Sequence, residues 1–374
     1  MKKLIVSALF ACLAVSAVFA MTLPTGVGAK YGAMGGAGAS IVDDITCAYY
    51  NPAAIVETGR MEFKLAAGAA TEGLNDIMST FGNTSNPTKF LADNWNKTAN
   101  INGGLNAFVG INVAKIGISV IPLANLTLVK PTAGTFAGSS LTAIGAYEGI
   151  LTLGYSLKTP GLPIATLDLG ANIKSSNLVG GFSSATGATT ASGGVATLNG
   201  VGYDLGAKAS INTGVMPFNF ALVLRDLSTS LKGKIKPQTS TFNPVTGVVT
   251  TVDGAETDAG DTTVAPATVI SASTTIPVVG LKVALDIDSI AESKLLGTTV
   301  ASGSLTHIGL EYPLLGGIVA LRAGQVSGKS GGADVQQTTF GAGIQMGANL
   351  NIAMMTDAKN SKNNSTMVDL GFAF

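Results

Sequence analysis

The sequence predicts an all-β protein: a transmembrane antiparallel β-barrel of about fourteen strands, with an N-terminal hatch in its lumen. Three observations predict it. Charged residues make up 12% of the chain, and mean hydropathy is +0.42. Past the first residues, no uninterrupted apolar run approaches the ~20 residues of a spanning helix. Alternation of period two recurs along the chain instead. Only helices and closed barrels satisfy every backbone group in lipid, so an apolar chain without spanning helices must close its strands into a ring.

The elements follow in order. Lys2 and Lys3 precede an apolar run over 4–18, and Val18-Phe19-Ala20 fits a small-x-small cleavage site. Residues 1–20 therefore read as a secretory signal peptide. Cys12 invites a lipoprotein reading, but Phe10 fits a lipobox poorly and the apolar run continues past the cysteine. Cleavage after Ala20 leaves Cys47 alone, which excludes an intramolecular disulfide. A small buried apolar role suits it better than a nucleophilic one. The 22 basic and 22 acidic residues balance to +0, so nothing points to nucleic acid.

Residues 21–60 precede the first strand and hold the run YGAMGGAGASIVDDITCAYYNPAAI. Its glycines do not form G-x-x-x-x-G-K-[ST], and no strand–helix unit surrounds them, so a phosphate loop is excluded. Asp43 and Asp44 are adjacent; on an extended chain their side chains diverge and do not share an ion. The calcium-loop pattern is missing. Glycines allow close backbone packing, Pro52 fixes one dihedral, and Asn51 can cap a local turn. Such a segment is expected to fold compactly within a wall of strands, as a hatch.

Residues 61–374 form the barrel, one domain without internal repeats beyond the hairpin rhythm. Val368, Leu370, Phe372 and Phe374 alternate with small or polar residues, as do Val201, Tyr203, Leu205 and Ala207. Val279 to Ile287 and Tyr147 to Leu157 show the same pattern. Strands are expected near 61–71, 101–114, 115–128, 143–158, 163–176, 198–212, 215–230, 264–275, 278–290, 302–313, 316–327, 336–347, 348–357 and 364–374. Long connections (72–100, 129–142, 177–197, 231–263, 291–301, 328–335, 358–363) alternate with short ones, as outer loops alternate with periplasmic turns. Trp95, in the first long loop, is either an interfacial anchor or a loop-packing residue.

Pro122 lies inside the third strand, where it removes a ladder hydrogen bond. In a closed barrel this predicts a bulge and a local gap in the wall; a strand end beside a turn is the alternative. His307 and Glu311 share one strand face, opposite Ile308, Leu310 and Tyr312, which places them in the lumen. A turn at Gly316-Gly317 sets Glu311 across from Arg322, as an interior ion pair or a polar floor beneath a ligand. Catalysis has no support: no G-x-S-x-G elbow occurs and no serine has a histidine partner. No cofactor or metal is expected, and the protein does not read as an enzyme.

Tyr31-Gly-Ala-Met-Gly-Gly-Ala-Gly, then Asp43-Asp44, then Tyr50-Asn51-Pro52-Ala53, resembles the N-terminal hatch of the FadL-type long-chain fatty-acid transporters and related PorV-like outer-membrane barrels. Leu310-Glu311-Tyr312 and Ala320-Leu321-Arg322-Ala323-Gly324 resemble the PorV branch. The resemblance implies a plugged fourteen-stranded barrel and a hydrophobic ligand path with lateral exit to the membrane. It also implies that Asn51, Pro52 and Ala53 pack against a kink in the third strand. Terminal Phe374 resembles the signal read by the barrel-assembly machinery. The expected function is passive uptake of hydrophobic, long-chain fatty-acid-like small molecules through the bacterial outer membrane, whose lipid is the first partner. The alternatives are a PorV-like accessory that binds a secreted protein, or a structural surface barrel.

Overall fold

In the computed structural model, residues 26–70, 88–89, 101–129, 137–158, 165–243, 246, 248–358 and 364–374 are described. The expected signal peptide and Trp95 lie outside the described residues. Fourteen long strands form a closed antiparallel ring. They are β1 (Met61–Ala70), β2 (Ile101–Val113), β3 (Ile116–Val129), β4 (Ser140–Lys158), β5 (Ala165–Ala185), β6 (Thr190–Asn212) and β7 (Pro217–Phe242). The ring continues with β8 (Ala267–Ile276), β9 (Leu281–Ile290), β10 (Gly303–Leu314), β11 (Val319–Ser330), β12 (Ala333–Met346), β13 (Ala348–Asp357) and β14 (Asn364–Ala373). Each strand pairs with its neighbour in sequence, and β14 pairs back onto β1 from Glu62↔Ala373 to Ala70↔Ser365. Closure leaves no sheet edge facing lipid.

Alternation sets the two faces. Phe63, Ile118, Ile173, Leu222, Ile287 and Phe340 point outward and are exposed. Water-soluble surfaces rarely carry apolar patches of more than a few hundred Å², so this continuous belt is a lipid-facing one. The inner face mixes small, polar and charged residues with clusters of apolar ones, and residues 26–58 pack inside the ring. No helix among the described residues is long and apolar enough to cross a membrane.

Observed and expected bounds agree within three residues for β1–β4 and β8–β14. The differences lie in β5, β6 and β7. The connection expected over 177–197 is mostly ladder, running to Ala185↔Ala191. Above Val201 the outward residues turn polar, with Thr197 and Asn199 on β6 and Lys232 and Lys234 on β7 all exposed. The apolar alternation stops where lipid stops, but the backbone ladder does not. Strands β4 to β7 have 19, 21, 23 and 26 residues, against 10 for β1, β13 and β14. A membrane crossing takes ~9–11 residues, so one side of the barrel rises well beyond the bilayer, at the end remote from the termini. Short strands at Val249–Asp253 and Thr257–Asp258 extend this rise against β7.

Pro122 does not make the expected bulge. Asn106↔Leu123 and Val109↔Val120 keep one register, with no pairing between them opposite Ile121 and Pro122. The other side stays paired, at Pro122↔Tyr147. Proline lacks a donor but adds no residue, so the β2–β3 ladder opens without shifting. The bulges occur instead on β7, which carries two extra residues between Val201↔Ser230 and Leu205↔Leu224. Asp226 (φ 55°) and Ser228 (φ 57°) take the left-handed conformation there.

Candidate functional site in the barrel lumen

The lumen segment has little regular structure: α1 (Ala29–Gly32), α2 (Cys47–Tyr50) and a 3₁₀ turn at Pro52–Val56. Asn51 is extended and caps the turn, its Oδ1 accepting from the Ala53 N–H at 3.0 Å. Its Nδ2 donates to the Ala39 carbonyl at 2.9 Å, tying the two halves of the segment together. Pro52 follows at the first turn position, where its missing N–H costs nothing.

Wall glycines receive this backbone. A Cβ on Gly206 would lie 2.2 Å from Asn51 Oδ1, and one on Gly170 2.2 Å from the Pro52 carbonyl carbon. Hence Asn51, Pro52 and Ala53 sit against β5 and β6. The contact with a kinked third strand that the resemblance implied is not their main one, because the inward glycines that admit them are on those strands. Gly324, on β11, admits Met34 in the same way.

Wall side chains then hold the segment by its main chain. Asp286 Oδ2 accepts from the N–H groups of Gly38 and Ala39, both at 2.9 Å. Thr339 accepts from Gly35 N–H and donates to the Ala33 carbonyl, each at 2.9 Å. Asn172 donates to the Ala48 carbonyl at 2.8 Å and Arg225 to that of Tyr50 at 3.1 Å. His307, buried and facing the lumen, places Nδ1 at 2.7 Å from the Gly35 carbonyl, so that nitrogen donates. Sequence reading missed Asp286, Thr339, Asn172 and Arg225. Their only sequence signal was membership of the polar inward face.

Glu311 and Arg322 are cross-strand partners, both buried, with Nε to Oε2 at 2.7 Å. The turn between them spans Leu315–Gly317, with positive φ at Gly316 and Gly317. Arg322 Nη1 donates to Asn351 at 2.8 Å, and Asn351 to Asp369 at 2.6 Å. Lys64 joins Asp369 at 3.5 Å and Asp44 at 2.6 Å. Thus the predicted pair is one end of a charge network running round the wall to the N-terminal segment. Asp43 and Asp44 diverge: Asp43 meets Lys30 at 2.5 Å and Tyr31 at 2.8 Å, while Asp44 meets Lys64. Partial desolvation opposes the charge on Asp43, whose side chain is still 46% exposed, but Lys30 together with Lys282 and the Tyr31 hydroxyl outweighs it and holds the carboxyl well below its usual range. Burial pushes the Cys47 thiol up, which suits a packing residue. Burial likewise pushes Tyr49 up to about 12, with Arg225 opposing.

Two apolar clusters occupy the lumen. One lies within the tall part of the barrel and includes Ile144, Phe182, Leu198 and Ile235. The other joins Ile45, Tyr50 and Ile55 to Ala66, Phe108, Ile121 and Ile150 of β1–β4. Leu123 packs against both. The second cluster therefore lies directly behind the interrupted ladder at Pro122. A groove of about 600 Å³ runs over that point, lined by outward Ala67, Leu105 and Pro122 and by inward Asn106 and Leu123.

A closed barrel with a lipid-facing belt and an N-terminal segment packed in its lumen defines an outer-membrane-type β-barrel. Solved structures narrow the likeness. The Pseudomonas putida toluene transporter TodX matches with 12% identity over 94% of this chain and 99% of its own, at a TM-score of 0.59. The Ralstonia pickettii toluene transporter TbuX matches with 10% identity over 93% and 97%, at 0.57. A Pseudomonas aeruginosa FadL homologue matches with 12% identity over 93% and 98%, at 0.56. The chain has the fold of the FadL-type barrels. No family model and no curated protein sequence matches it.

Proposed function

We propose that the protein carries hydrophobic small molecules passively through the bacterial outer membrane, with a long apolar chain of the fatty-acid kind as the reference cargo. One observation carries the reading. Leu123 joins the outer apolar cluster to the inner one, which ends behind the opened β2–β3 ladder and its groove at Pro122. Cargo enters at the tall outer end, moves along this greasy track and leaves sideways between β2 and β3. Residues 21–60 act as the hatch that blocks the straight route. The many bonds from wall side chains to the hatch backbone favour an opening in the wall over a displaced plug. Transporters described as carrying toluene share the fold, which supports hydrophobic cargo.

The test is mass spectrometry of what stays bound after gentle detergent extraction. The reading expects an apolar small molecule in stoichiometric amount. A stable complex with a secreted protein, and no bound ligand, overturns it in favour of an accessory role in secretion.

A further inference from the structure

A small cavity of about 50 Å³ lies over Tyr49, between the N-terminal segment and the wall of β4–β10. Ile150, Val264, Ile290 and Leu305 form its apolar side. Its other side is charged, partly because of the β7 bulges. Arg225 and Asp226 are consecutive and both line the space, whereas neighbours on a regular strand face opposite ways. Five carboxylates (Glu148, Asp204, Asp226, Asp286 and Asp288) meet two fixed cations, Lys174 and Arg225, and the His307 ring.

Most of these groups are satisfied; three are not fully so. Lys174 is held by Asp226 and by Asp204, the latter at 3.0 Å. Asp288 Oδ2, however, stands 3.7 Å from Arg225 Nη1 and 3.6 Å from His307 Nε2, too far to hydrogen-bond either. Arg225 Nε and His307 Nε2 have no hydrogen-bond partner among the described residues. The His307 side chain is only 6% exposed, so only an occupant of this cavity can serve it. A buried polar atom without a partner is costly, and here two such nitrogens border one small space beside an under-used carboxylate.

We propose that this cavity is a head-group subsite for an uncharged, hydroxyl-bearing amphiphile, an alcohol or phenol. The inference rests on the uptake reading and narrows its cargo. A hydroxyl has one proton to give and lone pairs to accept with. It donates to Asp288 and accepts from Arg225 Nε–H, which answers two of the three open groups at once. Its apolar body lies along Ile150, Val264 and Leu305. A carboxylate can accept from Arg225, but it enters a space already holding five carboxylates against fewer cations, where low dielectric magnifies repulsion. An ammonium is drawn by the excess of carboxylates and can donate to Asp288, but it must shed its hydration on entering and it cannot accept, so it leaves Arg225 Nε unmet. The fatty-acid tail suits the apolar track; its carboxylate does not suit this cavity.

The test uses the full mature chain in nanodiscs, its folding checked by a heat-dependent gel shift. Titration calorimetry compares octane, 1-octanol, octylamine and octanoate at neutral pH, with empty nanodiscs subtracted. The subsite predicts 1-octanol tighter than octylamine and octanoate by about tenfold or more. In a folded Asp288→Asn variant that preference shrinks, and octanoate gains on octanol. Octanoate binding as tightly as 1-octanol overturns the subsite while leaving uptake standing, as does an unchanged preference in the folded variant. If octane and all three amphiphiles fail to bind, the uptake reading falls and the subsite with it.

Discussion

Arg322 shows what a charge demands inside this ring. Its guanidinium has no solvent exposure and bonds Glu311 and Asn351. Removing one member of a buried pair leaves the other uncompensated, so Arg322→Met should cost roughly 3–5 kcal/mol. The double variant with Glu311→Leu should lose clearly less than the sum of the two singles. Guanidinium melts in detergent, read as a double-mutant cycle, check this; additive losses would mean the pair is not energetically coupled. At Gly206 the constraint is steric. A valine drives its Cβ into Asn51 Oδ1, so Gly206→Val should destabilise by about 1–3 kcal/mol. The same change at Gly214, where nothing lies near, meets no clash, though its positive φ adds backbone strain.

Asp43 adds a pH signature at the same scale. Lys30, with Lys282 and Tyr31, depresses its half-exposed carboxyl against a partial loss of hydration. Its contribution is therefore complete above the unfolded value, about 3.9, and is lost as pH falls through the lower folded value. Hydrogen exchange of the backbone around 29–47 should stay protected at neutral pH and loosen only in acid below the ordinary aspartate range. Asp43→Asn should remove this acid step.

Among the elements, β3 holds the proposed exit. Pro122 withholds one donor and the β2–β3 ladder opens there without a change of register. Pro122→Val supplies the donor at a residue of strong strand preference. The gap should close, and uptake of a hydrophobic tracer by whole cells should fall severalfold at equal amounts of folded protein. Unchanged uptake would remove the wall gap from the pathway. The β7 bulges play the opposite part: they leave the wall closed and turn two consecutive side chains, Arg225 and Asp226, toward one cavity.

For the whole molecule, closure and plugging are separable. The ring is completed by β1–β14 pairing, in which residues 26–58 take no part. Deleting 26–58 should leave a heat-modifiable, lipid-embedded barrel and admit small polar solutes in liposome swelling, where the full mature chain does not. Loss of the gel shift on deletion would show instead that the ring needs its contents to form.

Much of this was legible in the sequence because lipid enforces a simple code. Period-two alternation marks strand and face together, so the ring, the lumen side of His307 and the register of Glu311 against Arg322 follow from local pattern and one turn. The code fails where lipid ends: β5 to β7 run on beyond it because a polar-faced ladder looks like a loop. It is also silent about the inner face, where glycine, serine and aspartate are interchangeable to any hydrophobic pattern. Which inward glycines admit Asn51-Pro52, which carboxylate grips Gly38 and Ala39, and how Arg225, Asp288 and His307 come to share a cavity depend on contacts between residues on different strands, many far apart in sequence. Those meet only when the fourteenth strand closes on the first and fixes the curvature of the wall, so the sequence alone determined the barrel and its two faces, and tertiary closure decided what its interior can bind.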